Sequence, residues 1–254
     1  MSRPIRSKFY LLDSCKELIC YPKFDPKEFE RRLTELRMLG VQGIEDRGQS
    51  TISKYRVLGK GCVGVVVSAL TREGRAALKI RRLDADRTDL IREARLLRRA
   101  NSVDVGPKLF SATKNFILME LVEGVPLYEW LVKTEDKRAI TEVIVDLLEQ
   151  CFRLDSIGLD HGELSDARKH VIVTSGNRPV VLDFESASDS RRPSNLTSIC
   201  SFLFLSGSMR KILAAKLGEV DRTKLIHSLR TYKAQPSRKS MEYVIKALAS
   251  DLRL

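Results

Sequence analysis

The chain has 254 residues, 43% of them hydrophobic and 31% charged, and carries a net charge of +12. That composition belongs to a folded protein of one large domain or two small lobes and excludes a wholly disordered chain. No run reaches the ~18 apolar residues of a membrane-spanning helix, residues 1–6 lead into no apolar signal core, and the five cysteines form no C-x-x-C pair, so a cytoplasmic protein without membrane contact, disulfide framework or zinc ribbon is expected.

Charge is unevenly spread: residues 51–125 and 191–254 are basic and flank an acidic 126–190. Each basic run alone reads as a solvated helix face. Together they suit a polyanionic partner approaching an acidic, metal-holding centre.

In chain order, Asp25-Pro26-Lys27-Glu28 opens a helix: Asp25 can cap it, Pro26 fits its first turn and Glu28 completes a capping box. Phe29, Leu33 and Leu36 then share one face, and Gly40 can end the helix. Gly43, Gly48, Gln49 and Ser50 read as a loop and a boundary. Strands are expected over 55–58, 65–70 and 76–80, the last two joined through Glu73-Gly74. A helix with a basic outer side is expected over 86–100, and a strand over 116–119 continuing to 121–122. The strongest helical period is Ile140, Val143, Ile144, Leu147, Leu148, Cys151 and Leu154. Two short strands, 171–174 and 180–182, follow, and helices fill the chain from Asn195. The fold class is α+β: a helical extension over 1–50, a small β-rich lobe over 51–122 and a mostly helical lobe over 123–254.

The sequence Gly59-Lys-Gly61-Cys-Val-Gly64, followed by Val66, fits G-x-G-x-x-G-x-V. A dinucleotide-binding loop would open a helix, with an acidic residue about twenty positions on; here strands follow, and G-K-[ST] is absent. A glycine-rich hairpin between strands matches the phosphate-covering loop of protein kinases, in which backbone amides approach the triphosphate. Lys79 near the end of the third strand can neutralise the α- and β-phosphates if a carboxylate holds it, and Glu93 lies fourteen residues on, within a helix. After the long helix comes Leu159-Asp-His161-Gly-Glu163-Leu164. An apolar strand then ends in Asp183-Phe184-Glu185, where Asp183 can chelate Mg²⁺.

Residues 51 to about 205 resemble the eukaryotic-like kinase superfamily, in the compact branch that holds RIO kinases and the kinase subunit of the KEOPS complex. The strings His161–Val173 and Asp183–Ser188 look most like the small archaeal predicted Ser/Thr kinases related to the archaeal tRNA kinase, which phosphorylates a uridine 2′-hydroxyl. The resemblance implies a bilobal kinase fold and the cofactors ATP (or GTP) and Mg²⁺. Glu163 stands where the family has its catalytic Asp and would address the acceptor hydroxyl, with Asp160 and Asp166 next in line. Arg168 occupies the position of the metal-binding Asn, unless two extra loop residues bring His170 there beside Asp183. The backbone of Glu120 to Val122 would read the base, with Val66 and Ala77 lining its pocket. Glu185 replaces the D-F-G glycine, no A-P-E follows, and a peptide-docking platform is not expected.

His161 reads as a structural histidine rather than a proton shuttle, and Cys62 as a small apolar loop residue. Basic residues cluster as Arg92, Arg95, Arg98 and Arg99 on the helix of Glu93, and as Arg222, Lys224 and Arg230 among the C-terminal helices. With few aromatics, they suit shape and phosphate recognition of tRNA or another folded RNA. The function expected is phosphoryl transfer to a tRNA ribose 2′-hydroxyl. The alternatives are a RIO-like Ser/Thr protein kinase and a nucleotide-gated RNA-binding or assembly ATPase.

Overall fold

The computed structural model describes residues 8–205 and 207–252; the stretch 1–6 read for a signal core lies outside them. The chain divides into two compact units, one made of residues up to 95 together with 108–121, the other of 96–107 and everything from 122.

The first unit runs β1 (Phe9–Leu11), α1 (Lys16–Ile19), α2 (Pro26–Met38), β2 (Val41–Glu45), β3 (Ser50–Ile52), β4 (Tyr55–Val57), β5 (Gly59–Lys60), β6 (Gly64–Thr71), β7 (Gly74–Arg81), the start of α3 (Ile91–Asn101), β8 (Leu109–Ala112) and β9 (Phe116–Met119). Among the described residues its main sheet has the order β1-β2-β6-β7-β9-β8, with β5 also on β6; β3 and β4 form a separate hairpin. The Asp25 carboxylate accepts the Glu28 amide at 2.8 Å and starts α2. Glu28 turns its own carboxylate to Arg32 at 3.1 Å. Phe29, Leu33 and Leu36 are buried in the same core as Val65, Val67, Leu78 and Ile80 of the sheet.

This departs from the expected boundary near residue 50. The stretch 41–45 is a strand paired with both β1 and β6, and residues 8–50 are part of the first unit. Gly43 looks like a loop residue but serves close approach: a Cβ there would lie 2.8 Å from the Tyr10 carbonyl oxygen. The tie is tightened by Arg32, fully buried, whose guanidinium donates to the carbonyls of Ile19 (2.6 Å) and Arg81 (2.7 Å) and to Asn115 Oδ1 (3.1 Å). The helix expected from 86 begins at Ile91, because Asp89 accepts the Ile91 amide at 3.0 Å.

The second unit takes the rest of α3, then β10 (Gly124–Pro126), α4 (Leu127–Lys133), α5 (Lys137–Ser156), β11 (Val171–Thr174), β12 (Pro179–Val181), α6 (Asn195–Cys200), α7 (Gly207–Leu217), α8 (Arg222–Ala234) and α9 (Arg238–Leu252). Residues 121–122 are not a strand; Gly124–Pro126 pairs instead with β11, at an approach where a Cβ on Gly124 would meet the Val173 carbonyl at 2.3 Å. Every residue of the periodic series from Ile140 to Leu154 is buried in α5, whose start Asp136 caps. Among the described residues no single helix is long and apolar enough to cross a membrane.

Candidate active site

In the first unit the glycine loop is a tight hairpin. Gly59 lies opposite Val66 and Lys60 opposite Val65, and the Gly61 amide donates to the Gly64 carbonyl at 2.8 Å. Lys79, on β7, lies opposite Val66. Gly64 covers its stem so closely that a Cβ would stand 2.9 Å from Lys79 Cε. The Lys79 ammonium donates to both Glu93 carboxylate oxygens, at 2.8 and 2.9 Å, and both side chains are buried. Lys79 is thus buried in the fold as well as being a candidate phosphate ligand. Ala77 is buried and Val66 half-buried. The Glu120 amide donates to the Lys108 carbonyl at 2.8 Å, and its carboxylate accepts the Lys108 amide at 3.1 Å. Val122, assigned to the second unit, is half-buried.

In the second unit the segment from Asp160 to Glu163 is fixed from beneath. The Asn195 side chain accepts the His161 amide (2.8 Å) and donates to the carbonyl of Leu159 (2.7 Å) and to Asp155 (2.8 Å). Asp155 also accepts the amides of Asn195 and Leu196 at the start of α6 and the Tyr232 hydroxyl at 2.9 Å. Burial raises the pKa of the Asp155 carboxyl, against these hydrogen bonds, which lower it. Asp160 is buried and accepts Arg191 (2.6 Å) and the Ser194 amide (3.0 Å). Asp166 accepts Arg168 at 2.7 Å, a bond that lowers its pKa. Both alternatives to Glu163 thus have intrachain partners. Gly162 has φ +91°, and a Cβ there would meet Arg191 Nη2 at 2.5 Å.

Asp183 follows β12 at φ +66° with its side chain exposed, while the next residue, Phe184, is buried against Gly106. Leu182 donates its amide to the His170 carbonyl at 2.8 Å, which seats His170 beside Asp183. A short helical turn over Leu164–Lys169 delivers His170 there. Among the described residues Glu163, His170 and Asp183 form a group in which one donor atom from each lies within 4.8 Å of the others. Two carboxylates and an imidazole suit a divalent cation, and the His170 Nδ1 atom is buried with no hydrogen-bond partner among the described residues.

His161 is wholly buried, with its Nε2 2.9 Å from the Leu182 carbonyl and its ring edge-on to His170 and Phe184. Burial pushes its imidazole down to about 4. An unfolded histidine titrates near ~6.5, so the unfolded chain takes up the proton first as pH falls. The stability supplied by a neutral His161 is complete above pH ~6.5 and is lost as pH falls toward 4. Urea unfolding should show wild type losing about 2–3 kcal/mol more than His161→Gln between pH 7 and 4.5; parallel pH profiles would reject this role.

Arg92, Arg95 and Arg98 are exposed along one side of α3. Arg99 is half-buried and donates to Asp189 (2.9 Å) and to the Ile157 carbonyl (2.6 Å). Arg222, Lys224 and Arg230 are exposed on α8, with Lys224 3.7 Å from Asp221. Sequence reasoning missed Asp155, Arg191 and Asn195, which hold the loop without belonging to any short motif.

A glycine-covered Lys–Glu pair on a β-rich unit and a Glu-His-Asp group on a helical one define a kinase-type protein. Residues 66–199, just over half of the chain, match the RIO domain profile, and the chain belongs to that family, within the atypical kinase/ATPase superfamily. RIO domains in general use ATP and Mg²⁺. The chain is also similar to an uncharacterized protein of Methanocaldococcus jannaschii, 28% identical over 109 residues that make up 42% of this chain and 91% of the relative.

Proposed function

We propose that this protein is an ATP-dependent RNA kinase that transfers the γ-phosphoryl group to a ribose 2′-hydroxyl of tRNA. The glycine-loop amides cradle the triphosphate, and Lys79, oriented by Glu93, neutralises its charge. Glu163 orients the acceptor hydroxyl and accepts its proton. Asp183 and His170 hold the divalent cation, which when bound supplies neutralisation of the phosphate charge. Catalysis in this scheme is positioning plus charge compensation, as phosphoryl transfer requires.

The observation that carries RNA as the acceptor is the exposed Arg92-Arg95-Arg98 row on the helix that also presents Glu93. Guanidinium groups at this spacing suit successive backbone phosphates. Labelled transfer from γ-³²P-ATP to total archaeal RNA, beside a general protein substrate, tests the reading. tRNA affinity should also fall steeply with salt, and reversing Arg92, Arg95 and Arg98 to Glu should flatten the salt slope by roughly one for each RNA phosphate that is no longer neutralised. Reversal of Arg222, Lys224 and Arg230 tests α8 in the same way. Affinity flat across the titration, or label in protein and not RNA, would return the protein-kinase reading.

A further inference from the structure

We infer that His170 supplies an imidazole nitrogen to the divalent cation of this site, and that the site therefore selects Mn²⁺ over Mg²⁺. The inference rests on the phosphotransfer reading above and deepens it by naming the metal.

Three features of the chain lead to it. His170 is placed by its backbone: its amide donates to the Ala167 carbonyl at 3.1 Å, and its carbonyl accepts the Leu182 amide at 2.8 Å. Its ring is mostly buried, and Nδ1 has no hydrogen-bond partner among the described residues. Its Nε2 stands 3.6 Å from Glu163 Oε2, too far for a hydrogen bond. Arg168, the other basic candidate in this turn, is bound to Asp166.

The donor set then decides the metal. Mg²⁺ is hard, prefers oxygen throughout and gives up water reluctantly, so a protein donor set that includes an imidazole nitrogen suits it poorly. Mn²⁺ accepts carboxylate and phosphate oxygens as Mg²⁺ does, and also binds imidazole, whose affinity for divalent ions rises along the first transition row. Glu163 lies within the same 4.8 Å group and, beside the ion, keeps its part toward the acceptor hydroxyl.

The test is electron paramagnetic resonance of Mn²⁺ bound to the full chain with a non-hydrolysable ATP analogue. Wild type should show spin-echo modulation from a directly bound imidazole nitrogen, and His170→Asn should lose it. Mg²⁺ should displace Mn²⁺ from the variant at roughly tenfold lower concentration than from wild type. If His170→Asn does not fold, wild type labelled with ¹⁵N-histidine decides, because its modulation must change from the ¹⁴N to the ¹⁵N pattern. Bound Mn²⁺ without imidazole modulation, or equal displacement by Mg²⁺ in both proteins, overturns the inference and leaves the phosphotransfer reading standing. Failure of the analogue to bind with either metal overturns both.

Discussion

Asp183→Asn should lower the turnover of phosphoryl transfer by roughly a thousandfold or more, with the fold intact. The substitution removes a negative charge from the proposed cation site and keeps the size of the side chain. Asp183 is exposed at φ +66°, a left-handed conformation that asparagine tolerates better than other side chains with a Cβ. Asp183→Ala would add backbone strain of roughly 1 kcal/mol to the lost charge, so asparagine is the cleaner probe. Lys79→Ala should abolish transfer as well, but its interpretation differs. Lys79 and Glu93 are both buried and joined at 2.8 and 2.9 Å, so the deletion takes from a buried carboxylate its lysine and should cost about 3–5 kcal/mol of stability. The double variant Lys79→Met, Glu93→Gln removes both charges and should regain most of that stability while staying inactive. Near-normal turnover of folded Asp183→Asn protein would remove Asp183 from the site.

Those residues are legible in sequence because their signals are local. The glycine loop, the strand carrying Lys79 near its end and the helix over 140–154 each sit in one short window, and all three elements form. Residues whose meaning comes from distant partners are not legible. Asp155 and Asn195 read as ordinary polar residues until α5 and α6 come together and turn them into the support of the His161 loop. Strand β2 is five residues with a glycine at its centre, and only pairing to β1 and β6 makes it a strand. Arg99 and Arg98 are neighbours of the same type, but only Arg99 reaches Asp189. In sequence His170 is one of two options for a loop whose length the motif leaves open; only the turn over Leu164–Lys169 brings it near Glu163 and Asp183.

Arg32 is the sharpest case: helical spacing puts it on the face of Phe29, Leu33 and Leu36, unlike the exposed Arg31 beside it, but its partners are distant in sequence, and it carries the second large prediction. Arg32→Ala should destabilise the protein by about 3–5 kcal/mol. A domain's whole stability is about 5–15 kcal/mol, so much of the protein's margin should go. The guanidinium is fully buried and donates to the carbonyls of Ile19 and Arg81, to Asn115 Oδ1 and to Glu28. Burial lowers its pKa, and the Glu28 carboxylate opposes that shift. Truncation opens a cavity and leaves the buried Ile19 carbonyl and the part-buried Arg81 carbonyl without these donors, a cost that adds to the lost packing. Arg32→Met separates the two: it fills the stem's volume but donates nothing, so it should recover only part of the loss. Arg32→Lys keeps the charge without the planar fork that reaches several acceptors at once, and should fall between wild type and methionine. Urea unfolding of the three variants reads this order directly. A loss below about 1 kcal/mol for Arg32→Ala would mean that α2 is held to β7 by apolar contact alone, and that the buried fork contributes position without stability.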